Sequence, residues 1–251
     1  MKDTQEIMGM PVTVEITDAA TSQESLEKAL DYFRYVDNTF STYKKDSEIS
    51  RINRLELQPS EYSDDMKLIF ELAEQTKQQA AGYFDIRTPD GSIDPSGIVK
   101  GWAINKVAEV LHSLGHEDFY VEAGGDIQTS GKNSESKEWR IGIRNPFIRE
   151  EIVKVVYPRG AGIATSGTAI RGKHIYDPHT RLPVETNLAS LTVIGPNVYE
   201  ADRFATAAFA MGDSGINFIE NLDGFEGYAI DTKGTATMTS GFEKYTYDKS
   251  D

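Results

Sequence analysis

The order in which hydrophobic periods follow one another along this chain limits its fold more than any other feature. Val12, Val14 and Ile16 alternate with Thr13 and Glu15, as in a half-buried strand. Thr21 and Glu24 stand at capping-box spacing before a helix that would bury Leu26, Leu30, Phe33 and Phe40. Residues 44–62 read as polar and turn-rich. A second helix is expected from Ser63, as N-cap, to Gly82, as C-cap, with Met66, Ile69, Phe70, Ala73 and Ala80 facing inward. Pro89, Gly91, Pro95 and Gly97 mark residues 85–97 as a loop. A third helix, starting near Gly97 or Ile98, carries Trp102, Val107, Val110, Leu111 and Leu114 at helical spacing and stops at Gly115. Strands are expected at 118–123, 138–144, 153–157, 162–166 and 189–194. Helices near 198–211 and 214–221 follow, then strands at 226–231 and 235–239, and a polar tail from residue 243 that should fray. Helices and strands come in blocks, without strict alternation. That predicts an α+β fold with antiparallel pairing rather than a doubly wound parallel sheet. No repeat or low-complexity linker divides the chain, so a single domain over residues 1–251 is expected.

Charge and cysteine content remove several classes of function. The chain has no cysteine, which excludes disulfides, thiolate zinc sites, iron–sulfur clusters and a Cys nucleophile. Its 26 Lys+Arg against 40 Asp+Glu give a net charge of -14, against the basic footprint of a general nucleic-acid surface. No apolar run reaches the roughly 18 residues that a membrane-spanning helix needs. Residues 1–10 carry neither a basic n-region nor an apolar h-region, so a cytoplasmic location is expected, with an exported form whose leader has been removed as the alternative.

Five segments could carry chemistry. Asp202 and Thr206, at i and i+4, share one helix face and offer two hard oxygen ligands suited to Mg²⁺. A carboxylate favoured by the helix dipole and a back-bonded threonine would look the same. Asp94-Pro95-Ser96-Gly97-Ile98-Val99-Lys100-Gly101 opens a helix with free N–H groups and a lysine, without Walker spacing. It reads equally as an ordinary capping loop. Gly124-Gly125-Asp126 follows a strand and is either a ligand loop or a tight turn. Thr165-Ser166-Gly167-Thr168 could bind phosphate, and His174 just downstream could act as a general base, or else as a satisfied histidine after an ST-turn. Tyr43, in Phe40-Ser41-Thr42-Tyr43, could stack on a planar ring, as could the aromatics of Gly82-Tyr83-Phe84-Asp85. Each reads equally as core packing or a cap.

Singly these signals are weak, but their order is specific. Met8-Gly9, Phe-Ser-Thr-Tyr with Ser-Glu-Ile-Ser-Arg-Ile-Asn, Gly-x-Phe-Asp, Asp-x-x-Gly-Ile-x-Lys-Gly, Gly-Gly-Asp-Ile, Ala-Thr-Ser-Gly, His-Ile-x-Asp-Pro and Ala-Asp-x-x-Ala-Thr-Ala succeed one another over residues 6–240. In this the chain resembles the ApbE family, the FAD:protein FMN transferases. The resemblance implies a T-fold-like α+β architecture of antiparallel sheet and packed helices. It implies a Mg²⁺-dependent reaction in which FMN passes from FAD to a threonine hydroxyl of an acceptor flavoprotein and AMP leaves. It also implies roles. Asp202, Thr206 and a main-chain oxygen of Gly97 would hold the metal. Asp94 and Lys100 would contact FAD, and Met8, Tyr43, Tyr83, Phe84 and Asp85 would line the flavin site. His174 would be the base, with Ile175 and Asp177 shaping the pyrophosphate end. The metal-ligand carboxylate is expected to be partly solvated.

Three departures from the family pattern stand out. Asp85 and Asp94 are only nine positions apart where many members carry a long insertion, which suggests a short form with a more open pocket over the adenine. Arg181 stands where the family's Asp-Pro-x-Thr is usually followed by Gly, and Ala123 where many relatives have Asn. Two other functions use the same residues: a Mg²⁺-dependent FAD pyrophosphatase yielding FMN and AMP, and an FAD-binding module without turnover.

Overall fold

Val12, Val14 and Ile16 are fully buried side by side, as period-two alternation requires. The computed structural model describes residues 1–168 and 175–247. In it these three belong to the second of twelve strands: β1 (Lys2–Ile7), β2 (Met10–Ile16), β3 (Phe119–Ala123), β4 (Asp126–Ser130), β5 (Ile141–Arg144), β6 (Ile152–Val156), β7 (Gly162–Gly167), β8 (Tyr176–Asp177), β9 (Leu182–Pro183), β10 (Leu188–Gly195), β11 (Glu226–Asp231) and β12 (Ala236–Met238). Eight of them form one sheet in the order β1-β2-β3-β4-β7-β10-β11-β12. Every neighbouring pair in it is antiparallel. β5–β6 and β8–β9 are separate hairpins.

The helices are α1 (Gln23–Phe40), α2 (Glu48–Asn53), α3 (Asp64–Gln79), α4 (Ser96–Ser113), α5 (Val198–Ala210) and α6 (Gly215–Glu220). One sheet face carries two joined cores. In the first, Val12, Val14 and Phe119 meet Leu26, Leu30 and Phe33 of α1 and Ile98 and Trp102 of α4. In the second, Ala164, Leu191 and Val193 meet Phe204, Ala205 and Ala208 of α5. The opposite face buries Ile127, Ile163, Ile194, Tyr228 and Ile230 under the β5–β6 hairpin and Phe242. The fold is α+β with antiparallel pairing.

Local chemistry moves several boundaries. The cap of α1 is Ser22, whose side chain accepts the Ser25 N–H at 3.1 Å, rather than Thr21. Thr21 Oγ1 is buried without a partner. Ser63 caps α3 as expected, accepting the Met66 N–H at 3.1 Å. The helix ends at Gln79, and Gly82, at φ +84°, sends its N–H back to Lys77 O at 2.8 Å. Phe70 packs on the first core but is only half-buried. Residues 44–62 contain α2, a helix too short to display a period, with Ser47 as its cap. Two residues of the expected tail bond to the fold, Tyr157 N–H donating to Tyr245 O at 2.7 Å and Arg159 to Lys244 O at 2.8 Å, and its last four residues lie outside the described residues.

Candidate active site

Two helices cross where one of them has no side chain to obstruct the other. A Cβ on Gly101 of α4 would lie 2.6 Å from Asp202 Cβ and 2.8 Å from Val198 O of α5. Glycine therefore permits an approach that alanine would block. The close contact aligns the two helical faces turn by turn. Gly101 N–H donates to Asp202 Oδ2 at 2.8 Å. One turn earlier on α4, a Cβ on Gly97 would sit 3.4 Å from Thr206 Cγ2 and from the Phe84 ring. Thr206 Oγ1 lies 3.5 Å from Ser166 Oγ of β7. Thus Gly97, Asp202 and Thr206, drawn from helices about a hundred positions apart, are brought together. Asp202 is not partly solvated: only 3% of it is exposed.

Lys100 joins this group from the same turn of α4. Its Nζ is 2.6 Å from Asp126 Oδ2 and 3.8 Å from Asp202 Oδ1. Asp126 follows the β3–β4 turn, whose Gly124 and Gly125 both have positive φ, as a two-residue hairpin turn demands. The turn reading of Gly-Gly-Asp is thus right for the glycines, while the aspartate faces the helices, 1% exposed, with Oδ1 accepting the Thr165 N–H at 3.0 Å. Asp126 thus joins the site although the family resemblance implied no role for it. Burial pushes the Asp202 carboxyl up, Lys100 pulls it down and Asp126 pushes it up again, leaving it raised to about 7.

The other expected site residues disperse into several settings. Asp94 Oδ1 accepts the Ser96 N–H at 3.0 Å at the start of α4. Phe84 is buried against Gly97. The Tyr83 ring packs on His179 at 4.5 Å, which ties the β8–β9 hairpin to the end of α3. Asp85 is engaged by Lys77 at 2.6 Å and by the Arg87 N–H at 2.8 Å. Met8, in the β1–β2 turn at φ +57°, packs half-buried on the first core. Ile175 packs on the second core. Asp177 accepts the His179 N–H at 2.9 Å; burial opposes ionisation there, but the His179 contacts prevail and hold the carboxyl below its usual range. Tyr43 is 98% exposed, outside the cluster. His174 lies outside the described residues.

The donor set bears on which metal could bind. Among the described residues, no three His, Cys, Asp or Glu side chains converge to hold an ion. A cation at Asp202 would have to complete its shell with a hydroxyl, main-chain oxygen, water and substrate phosphate. Asp202 and Thr206, one turn apart with Gly97 beside them, supply hard oxygens only. That suits Mg²⁺, which keeps several waters and binds through one or two carboxylates.

Comparison with known proteins agrees with this architecture. The model of the ApbE family matches residues 8–89 and 87–229. The FAD:protein FMN transferase of Vibrio cholerae is 26% identical over 283 residues, covering 85% of this chain and 84% of that one. That of Haemophilus influenzae is 27% identical over 296 residues, covering 92% and 86%. Among solved structures, the flavin transferase ApbE from Vibrio cholerae superposes with a TM-score of 0.86 at 24% identity, covering 98% of each chain. The ApbE protein from Thermotoga maritima superposes with a TM-score of 0.87 at 19% identity, covering 99% of each. These two likenesses establish the fold.

Proposed function

This chain belongs to the ApbE family, and on that premise we propose that it is a Mg²⁺-dependent FAD:protein FMN transferase acting on a threonine of an acceptor flavoprotein. The observation that carries the reading is the convergence of Lys100, Asp202 and Thr206, with Gly97 beside them, from helices about a hundred positions apart in sequence. Two relatives named FAD:protein FMN transferase, matched over 84% and 86% of their length, support the substrate.

In this reading the threonine oxygen of the acceptor forms a bond to the FMN-side phosphorus of FAD. The bond from that phosphorus to the bridging oxygen breaks, and AMP departs with that oxygen. The threonine proton passes to a base, the role the motif gives His174. Asp202, Thr206 and a main-chain oxygen of Gly97 would hold the cation. When bound, it would stabilise the charge that gathers on the phosphoryl and bridging oxygens. Lys100 adds a fixed positive charge beside it, so the chain's main contribution is placement and electrostatics.

The test is chromatographic. Protein, FAD and Mg²⁺ are incubated with an acceptor domain carrying its threonine, and with the same domain after Thr→Val replacement. AMP together with flavin fixed on the first domain only is the expected result. AMP with free FMN, whatever the acceptor, would make the protein a pyrophosphatase. Intact FAD held without turnover would make it a carrier.

A further inference from the structure

The ion pair beneath the site is lopsided. Lys100 Nζ is 2.6 Å from Asp126 but 3.8 Å from Asp202, although both carboxylates are buried and within reach. An ammonium in contact with Asp202 Oδ1 would occupy the position that a divalent cation needs. We propose that Asp126 is a positioning residue that holds the Lys100 ammonium beside Asp202 rather than on it, leaving Asp202 Oδ1 open to the cation. The inference rests on the reading of Asp202 as a metal ligand.

Three observations make Asp126 suited to this. Its carboxylate cannot follow the lysine, because Oδ1 is tied to the Thr165 N–H of β7 at 3.0 Å and the residue opens β4 directly after a tight turn. Burial at 1% exposure leaves little water to compete for the ammonium, so the ion pair is strong. Asp202 is anchored too, its Oδ2 accepting the Gly101 N–H at 2.8 Å, so the difference between 2.6 and 3.8 Å is set by two fixed carboxylates and one flexible lysine. With Asp126 neutralised, the ionised Asp202 carboxylate 3.8 Å away draws the ammonium toward Oδ1, and the lysine becomes a tethered competitor of the metal.

A double-mutant cycle tests this, read by Mn²⁺ binding in electron paramagnetic resonance with the full chain and no flavin. Asp126→Asn keeps the acceptor for Thr165 and removes the charge. It should weaken Mn²⁺ binding roughly tenfold in the wild-type background, the scale of coupling between charges in contact. In a Lys100→Met background the same change should cost far less, because there is no ammonium left to restrain. Equal losses in both backgrounds would mean that Asp126 acts on the cation directly, and no loss in the first would mean that it does not act at all; either result overturns the proposal. Should a variant fail to fold, a crystal of the wild-type protein soaked with Mn²⁺ decides. Anomalous density on Asp202 with Lys100 still on Asp126 supports the proposal, and density bridging Asp126 refutes it. If the wild type binds no Mn²⁺ at Asp202, the metal assignment falls first and this inference falls with it; normal Mn²⁺ binding that ignores Asp126 removes the inference alone.

Discussion

Asp202 combines two demands that oppose each other when no cation is present. Burial and the nearby Asp126 carboxylate raise its pKa to about 7, with Lys100 acting against them. In the unfolded chain an aspartate ionises near 4. Between these values the folded protein holds a proton that the unfolded one has lost, so stability falls as pH rises from about 4 to about 7. Asp202→Asn retains an acceptor for the Gly101 N–H and removes the titration. Urea midpoints without divalent cation should decline between pH 5 and 8 for the wild type and be flatter for the variant. Equal slopes would mean that Asp202 ionises normally. A different constraint acts at Arg181, which stands at φ +59°, in the left-handed region that favours glycine. Left-handed backbone costs an ordinary residue roughly 1–2 kcal/mol, and glycine's extra unfolded-state entropy returns roughly 0.4–1 of that. Arg181→Gly should therefore be neutral to slightly stabilising, and Arg181→Val clearly destabilising, in thermal melts. The reverse ranking would contradict the turn geometry.

Elements were legible where a period had room to repeat. α1, α3 and α4 run 16 to 18 residues and announce themselves through apolar spacing. β1 does not, because Lys-Asp-Thr-Gln-Glu-Ile is an edge strand with one apolar residue. β4 is also hidden: Asp126 and Gln128 are buried because they bond to neighbours, not because they are apolar. The same lesson applies to helix starts. Thr21-Ser22 offers two hydroxyls in succession, and only the three-dimensional entry of the chain chooses between them. Ser22→Ala should cost about 1 kcal/mol by loss of the cap. Thr21→Ala should cost much less, since its buried hydroxyl has no partner to lose. Denaturant midpoints of the two variants measure this directly, and equal losses would remove the distinction.

Across the whole molecule, the block order of helices and strands suffices for an antiparallel α+β fold but not for the site, whose parts meet only through one helix crossing. Spacing can place Asp202 and Thr206 on one face. It cannot reveal that Gly101 lets α4 close on that face, or that the turn before β4 aims Asp126 at the lysine. The assembled charges then pose a problem of the whole chain. With Asp202 ionised, Lys100, Asp126 and Asp202 together carry one net negative charge, inside a protein of net charge -14. An anionic diphosphate is repelled both locally and at long range until a divalent cation brings the local sum to +1. FAD should therefore bind at least about tenfold more weakly in EDTA than in Mg²⁺, a difference of roughly 1.4 kcal/mol. Because long-range repulsion is screened beyond a Debye length of about 10 Å at 0.1 M salt, cation-free binding should strengthen as ionic strength rises. Flavin fluorescence titrations at low and moderate salt, with and without Mg²⁺, read both effects. Cation-free FAD that binds as tightly as with Mg²⁺, or that is driven off by salt, would place the diphosphate on a basic surface elsewhere and detach it from Asp202.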